Sequence, residues 1–114
     1  MSSASAMTPA QVRAAAPLFA ALGDATRLQL LARLATGGPG SIAALSAKAA
    51  VSRQAIRKHL DVLADAGLVH SARQGRESIW ALAPERLAEA HAYLDRIAAQ
   101  WDDALARLKR FVET

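Results

Sequence analysis

Arg53, Gln54, Arg57 and Lys58 crowd the start of the stretch VSRQAIRKHLDVLADAGLV, residues 51–69. An arginine can donate two hydrogen bonds to O6 and N7 of guanine, and a glutamine can pair twice with N6 and N7 of adenine. Each such contact separates the right base from the wrong one by about 1–3 kcal/mol. Side chains of this kind near the start of one helix have the chemistry to read base edges in a DNA major groove. Arg53, Gln54 and Arg57 are the expected base readers, and Ser52 and Lys58 the expected phosphate contacts. Ser41 joins this DNA-binding set from the start of the preceding helix.

The stretch can present those groups because its other face is apolar. Ser52 is placed to cap a helix in which Ile56, Leu60 and Leu63 recur at i, i+4 and i+7, and Gly67 is placed to end it in the left-handed conformation. Just upstream, Ser41 can cap a short helix with Ile42 and Leu45 facing inward, and only Ala49-Ala50-Val51 separates the two. After Gly67 the pattern changes period. Residues 68–74 and 77–82 are strand candidates that meet at Gln74-Gly75-Arg76, with bulk supplied by Ile79, Trp80 and Leu82. Arg73, Gln74 and Arg76 make the tip of this hairpin basic and polar, suited to a DNA backbone or a minor groove. Two helices, a short turn and a hairpin spell a winged helix-turn-helix, mainly α with a small β-hairpin wing.

Other elements complete the domain. Thr8-Pro9-Ala10-Gln11 opens a first helix that runs to about Leu22, with Pro17 inside it. Asp24 can cap a second, in which Leu28, Leu31 and Leu34 form the apolar stripe, and Thr36-Gly37-Gly38-Pro39-Gly40 must end it. Pro84 opens the last helix, over residues 85–112, roughly 42 Å at 1.5 Å per residue. Its Leu87, Ala90, Leu94, Ile97, Trp101, Ala104, Leu108 and Phe111 alternate spacings of three and four. A small domain cannot cover so long a stripe, so a second copy is the expected partner. The reading divides the chain into a disordered tail (1–7), a DNA-binding domain (8–84) and a dimerisation helix of the same domain (85–114).

Composition limits the function classes. The chain has 114 residues, enough for one domain, and no cysteine, which excludes disulfides, thiolate metal sites and thiol redox sensing. It carries a net charge of +4, and the basic excess lies in the first two thirds; the sign suits a polyanion. No apolar run reaches the roughly 20 residues needed to span a bilayer, and MSSASAMTPAQ lacks the pattern of a signal peptide, so a cytoplasmic protein without membrane contact is expected. Catalysis finds no support: no serine, histidine and acid constellation stands out, and Gly37-Gly38-Pro39-Gly40 has no lysine to make it a phosphate loop.

LFAALGDATRLQLLARL (18–34), the stretch at 51–69 and ARQGRESIWAL (72–82) together resemble the ArsR/SmtB family of bacterial winged-helix repressors, over residues 14–84. The resemblance implies a homodimer built from the first and last helices, bound to an imperfect palindrome in double-stranded DNA of its own promoter and released by an inducer, such as a small molecule. Leu18, Leu87, Leu94, Ile97, Trp101, Leu105 and Leu108 are the expected interface. Where the family's metal sensors carry cysteines in the third helix, this chain has Ile42-Ala43-Ala44-Leu45-Ser46. No metal and no cofactor is expected, although His91 and Asp95, one turn apart, are weak candidates for half of a site between subunits. His59, common in the family, is expected to pack or to touch a phosphate. Two alternatives stand beside the repressor: a metal-responsive regulator using His91 and Asp95, and a protein-interaction module on the same scaffold.

Overall fold

The computed structural model describes residues 7–47 and 49–113. The expected tail over residues 1–7 therefore lies, except for Met7, outside the described residues.

Capping side chains stand at the heads of four helices. Thr8 caps α1 (Pro9–Leu22) in a reciprocal box: its Oγ1 accepts from the Gln11 amide at 3.1 Å, and the Gln11 side chain accepts from the Thr8 amide at 2.9 Å. Asp24 caps α2 (Ala25–Gly37), Ser41 caps α3 (Ile42–Ser46) and Ser52 caps α4 (Arg53–Asp65). Pro84 occupies the first position of α5 (Pro84–Glu113). β2 (Val69–Gln74) and β3 (Glu77–Leu82) form the expected hairpin, with Gln74 paired to Glu77 and Val69 to Leu82. Gly75, at φ 65°, takes the positive φ that the first position of a II′ turn requires.

A third strand, β1 (Gly40–Ser41), pairs antiparallel with Trp80 and Ile79, so the sheet order is β1-β3-β2. Nothing in the sequence marks this strand. Two residues are too few to show a period, and the pairing depends on β3 arriving alongside.

The end of α4 is fully specified. The Leu68 amide donates to Leu63 O and the Gly67 amide to Ala64 O, both at 2.9 Å, with Gly67 at φ 77°. This is the Schellman arrangement, and its hydrophobic partners Leu63 and Leu68 are both fully buried. They join Ile56 and Leu60 of α4, Leu30, Leu31 and Leu34 of α2, Leu45 of α3, Trp80 of β3 and Ala90 of α5 in one core. The expected stripe of α2 needs correction: Leu30 replaces Leu28, which is 50% exposed. Leu30, Leu31 and Leu34 face α4 and the sheet, while Leu28 lies about a third of a turn off that face.

α5 outruns the domain. Its first turns pack on α1 and the core, whereas every residue from Ala104 to Glu113 is exposed. Leu94, Trp101, Leu105 and Leu108 are exposed large apolar side chains, with Trp101 at 64%. Leu18, expected at the same interface, is part of the protomer's core. It is 1% exposed and enclosed by its own chain, and Leu87 is likewise packed against that core.

Candidate nucleic-acid interface

α4 buries Ile56, Leu60 and Leu63 and leaves Arg53, Gln54, Arg57 and Lys58 exposed. At about 100° per residue these four do not share one line. Arg53 and Arg57, one turn apart, flank the buried stripe on the side of the hairpin. Gln54 and Lys58 lie further round, on the face most remote from the core. The expected base readers thus occupy two adjacent strips of the helix.

The first strip faces a cleft of about 290 Å³, walled by Ser41 at the head of α3, Arg53 and Arg57 of α4, and Arg73, Arg76 and Ser78 of the hairpin. Four arginines meet there against one carboxylate, Glu77. Strand alternation explains how the hairpin joins in. Ser78 and Trp80 point to one side of the sheet, and Arg73 is paired with Ser78; Arg76 joins them from the turn. The side that buries Trp80 against the helices therefore presents arginine at its far end. Gln74, out of phase with these, is exposed and does not wall the cleft.

Arg57 has two neighbours that orient it. Its Nε donates to Asp61 Oδ1 at 3.4 Å, and its guanidinium carbon stands 6.0 Å from the centre of the Trp80 ring. Ser41 and Ser52 are both engaged as caps, their Oγ atoms accepting from the amides of Ala44 and Ala55 at 3.1 Å. Each hydroxyl proton stays available for a phosphate.

A group of residues that the spacing of α4 did not reveal holds its flank in place. Arg27 donates from Nε to Ala21 O at 2.5 Å and from Nη2 to Ala20 O at 3.2 Å, satisfying carbonyls at the end of α1. Its Nη1 is 3.4 Å from His59 Nδ1, and that nitrogen is 3.7 Å from Asp24 Oδ2. Asp24 in turn accepts from the Arg27 amide at 3.0 Å. The hydrogen bond from that amide, followed by electrostatic attraction from His59 and Arg27, holds the Asp24 carboxyl below its ordinary pKa against an opposing desolvation. The segment Gly23-Asp24-Ala25-Thr26-Arg27 is thus a junction of three helices. Its signal in the sequence is an acid cap with an arginine three residues on. His59 is half-buried here and packs against the α1–α2 junction.

His91 Nδ1 and Asp95 Oδ2 are 3.3 Å apart on the exposed surface of α5. Among the described residues no three His, Cys, Asp or Glu side chains gather in a group able to hold a metal ion. No described helix is long and apolar enough to cross a membrane.

Residues 22–72 match a family model described as a helix-turn-helix domain. The chain is 35% identical to the HTH-type transcriptional regulator Rv2034 of Mycobacterium tuberculosis over 94 residues, covering 82% of this chain and 84% of the relative. Among solved structures, it is similar to an ArsR-like transcriptional regulator from Rhodococcus sp. RHA1. The TM-score is 0.76 at 38% identity, over 90% of this chain and 95% of the other. It is also similar to the homodimeric winged helix-turn-helix DNA-binding domain of Mb0332 from Mycobacterium bovis. There the TM-score is 0.65 at 26% identity, covering 86% and 90% of the two chains.

Proposed function

Because this chain belongs to the ArsR family of helix-turn-helix transcriptional regulators, we propose that it acts as a cytoplasmic homodimeric repressor. It binds an imperfect palindrome upstream of its own gene and is released by an inducer. The observation that carries this reading is the convergence of Arg53, Arg57, Arg73 and Arg76 on one cleft beside the exposed Gln54 and Lys58. That placement suits a helix lying in the major groove, with the hairpin tip against the neighbouring backbone.

The roles divide along the two strips of α4. Gln54, Arg53 and Arg57 read base edges; Ser41, Ser52 and Lys58 hold phosphates, and Arg73, Gln74 and Arg76 anchor the wing. The second copy sits on the exposed stripe of Leu94, Trp101, Leu105 and Leu108, with the half-buried Ile97 at its edge. Two α4 helices in a dimer then meet half-sites about one helical turn of DNA apart or a multiple of it. The reading supports no catalytic role for any residue.

Fluorescence anisotropy with duplex DNA from the region upstream of the gene, against a scrambled duplex at several salt concentrations, tests it. Binding to the upstream DNA that exceeds the scrambled control by a factor of about 10³ or more is the expected result. Equal, weak binding to both would leave the arginine cleft as generic positive charge and sink the repressor reading.

A further inference from the structure

Of the four arginines that meet at the cleft, Arg57 is the one that neighbours orient. Its Nε donates to Asp61 Oδ1 at 3.4 Å, and its guanidinium carbon lies 6.0 Å from the centre of the Trp80 ring. Arg53, Arg73 and Arg76 have no hydrogen-bonding or ionic partner among the described residues. An unoriented arginine still supplies charge. One that is already oriented also supplies direction, and it loses less side-chain freedom when it meets a base.

Asp61 does little for the fold. It forms an i, i+4 pair with Arg57 in which both side chains are more than half exposed. Such pairs contribute little to stability, and the order here, with the cation toward the helix start, is the weaker one. Asp61 also brings a carboxylate to the helix that carries Arg53, Arg57 and Lys58, where it opposes a polyanion. A side chain that adds little stability and works against the charge of its own helix calls for a different role.

The shape of the guanidinium supplies that role. Its N–H bonds lie in a planar fork. With Nε turned toward Asp61, Nη1 and Nη2 remain, and together they present two parallel donors. Guanine offers two acceptors, O6 and N7, on its major-groove edge. Adenine offers N7 beside the N6 amine, so one donor of the pair would face another donor. Nε is thus a pivot: the terminal nitrogens swing from the Trp80 ring toward the groove while Asp61 fixes the plane.

We infer that Asp61 is a positioning residue for Arg57, and that the base Arg57 reads in each half-site is guanine. Both roles rest on the reading of α4 as the helix that contacts DNA, and they add the base and the side chain that selects it.

Fluorescence anisotropy of the full chain with the upstream duplex (the operator), its single base-pair variants and a scrambled duplex tests this. The wild type is expected to prefer guanine over each alternative by about tenfold or more at one position per half-site. In Arg57→Ala and in Asp61→Ala that preference is expected to fall below about threefold, while Asp61→Ala keeps the helical content and melting temperature of the wild type. Generic charge predicts otherwise for Asp61→Ala, because loss of a carboxylate would tighten every duplex alike. Adding Asp61→Ala to Arg57→Ala is expected to change the preference by less than about twofold, because Asp61 acts through Arg57.

A preference kept at about tenfold in Asp61→Ala, or all duplexes tightened alike, would overturn the positioning role. A preference lowered at a different position would overturn it too, since the carboxylate would then read a base of its own, such as cytosine through N4. A base other than guanine at the position that Arg57→Ala flattens would overturn the assignment of the base alone. A wild type that binds the upstream and scrambled duplexes equally would instead overturn the repressor reading, and both roles with it.

Discussion

The guanidinium carbon of Arg57 stands 6.0 Å from the centre of the Trp80 ring, so α4 and β3, the central strand of the sheet, meet through a cation and an aromatic face. A base contact that draws Arg57 into the groove must lengthen this distance. In a Trp101→Phe background, where Trp80 is the only indole left, its emission is expected to change on binding operator DNA. The change is expected to vanish in Arg57→Ala.

Arg57 and Arg76 are expected to fail differently. With Arg57 proposed as a base reader, Arg57→Ala is expected to cost about 1–3 kcal/mol on the operator and little on scrambled DNA. With Arg76 proposed as a wing contact to the backbone, Arg76→Ala is expected to weaken both duplexes alike and to lower the slope of log affinity against log salt by about 1. Anisotropy titrations over a range of salt concentrations distinguish the two patterns. Identical losses on both DNAs for both variants would remove Arg57 from the reading strip.

Gly67→Ala combines two penalties: a positive φ that an L side chain resists, and a Cβ 2.8 Å from Arg86 Cγ. A loss of about 1–3 kcal/mol is expected in urea denaturation. Adding Arg86→Ala to Gly67→Ala is expected to relieve the clash but not the strained φ. The double mutant should therefore lose less than the sum of the two single changes. Strict additivity would show that Arg86 does not press on the end of α4. For comparison, Leu60→Ala in the fully buried core should cost about 2–5 kcal/mol.

Asp24 gives the junction of α1, α2 and α4 a pH dependence. Its folded pKa is lowered below the ordinary 3.8, because the carboxylate accepts from the Arg27 amide and faces His59 and Arg27. A depressed carboxylate contributes stability above its unfolded pKa, and the contribution is lost as pH falls through the folded value. Thermal melts are therefore expected to show a steeper fall below about pH 4 for the wild type than for Asp24→Asn, which keeps a capping oxygen without the charge. Parallel curves for the two proteins would mean that the carboxylate charge contributes nothing to the junction.

Leu108→Asp and Trp101→Asp place a charge on the exposed stripe of α5 without touching the protomer's core. Both are expected to sediment as folded monomers with native helical content and to lose operator affinity, because one subunit meets one half-site. Retention of a dimer by both variants would move the interface off this stripe.

Local features of the sequence were enough for the elements. Capping residues at Thr8, Asp24, Ser41 and Ser52 mark helix starts because the cap is a contact across three residues. Gly67 and Gly75 mark a helix end and a turn because few other residues accept a positive φ. The period of Ile56, Leu60 and Leu63 orients α4, and this orientation exposes Arg53, Gln54, Arg57 and Lys58 whatever surrounds the helix. Those facts depend on neighbours a few residues away, and a linear reading recovers them.

Only the tertiary structure decided which distant residues meet. β1 exists because β3 offers it a paired edge, and Leu28 is exposed because α4 and the sheet approach α2 from the other side. Leu18 is enclosed by its own chain, which spacing along α1 cannot show. The cleft that joins Arg53 and Arg57 to Arg73 and Arg76 depends on the twist and register of the hairpin relative to α4. The bonds from Arg27 to α1 and from Arg86 to α4 likewise span elements whose approach is set by core packing. Helix caps and periods are properties of the backbone over one or two turns, whereas these contacts depend on how whole elements bury their apolar faces together.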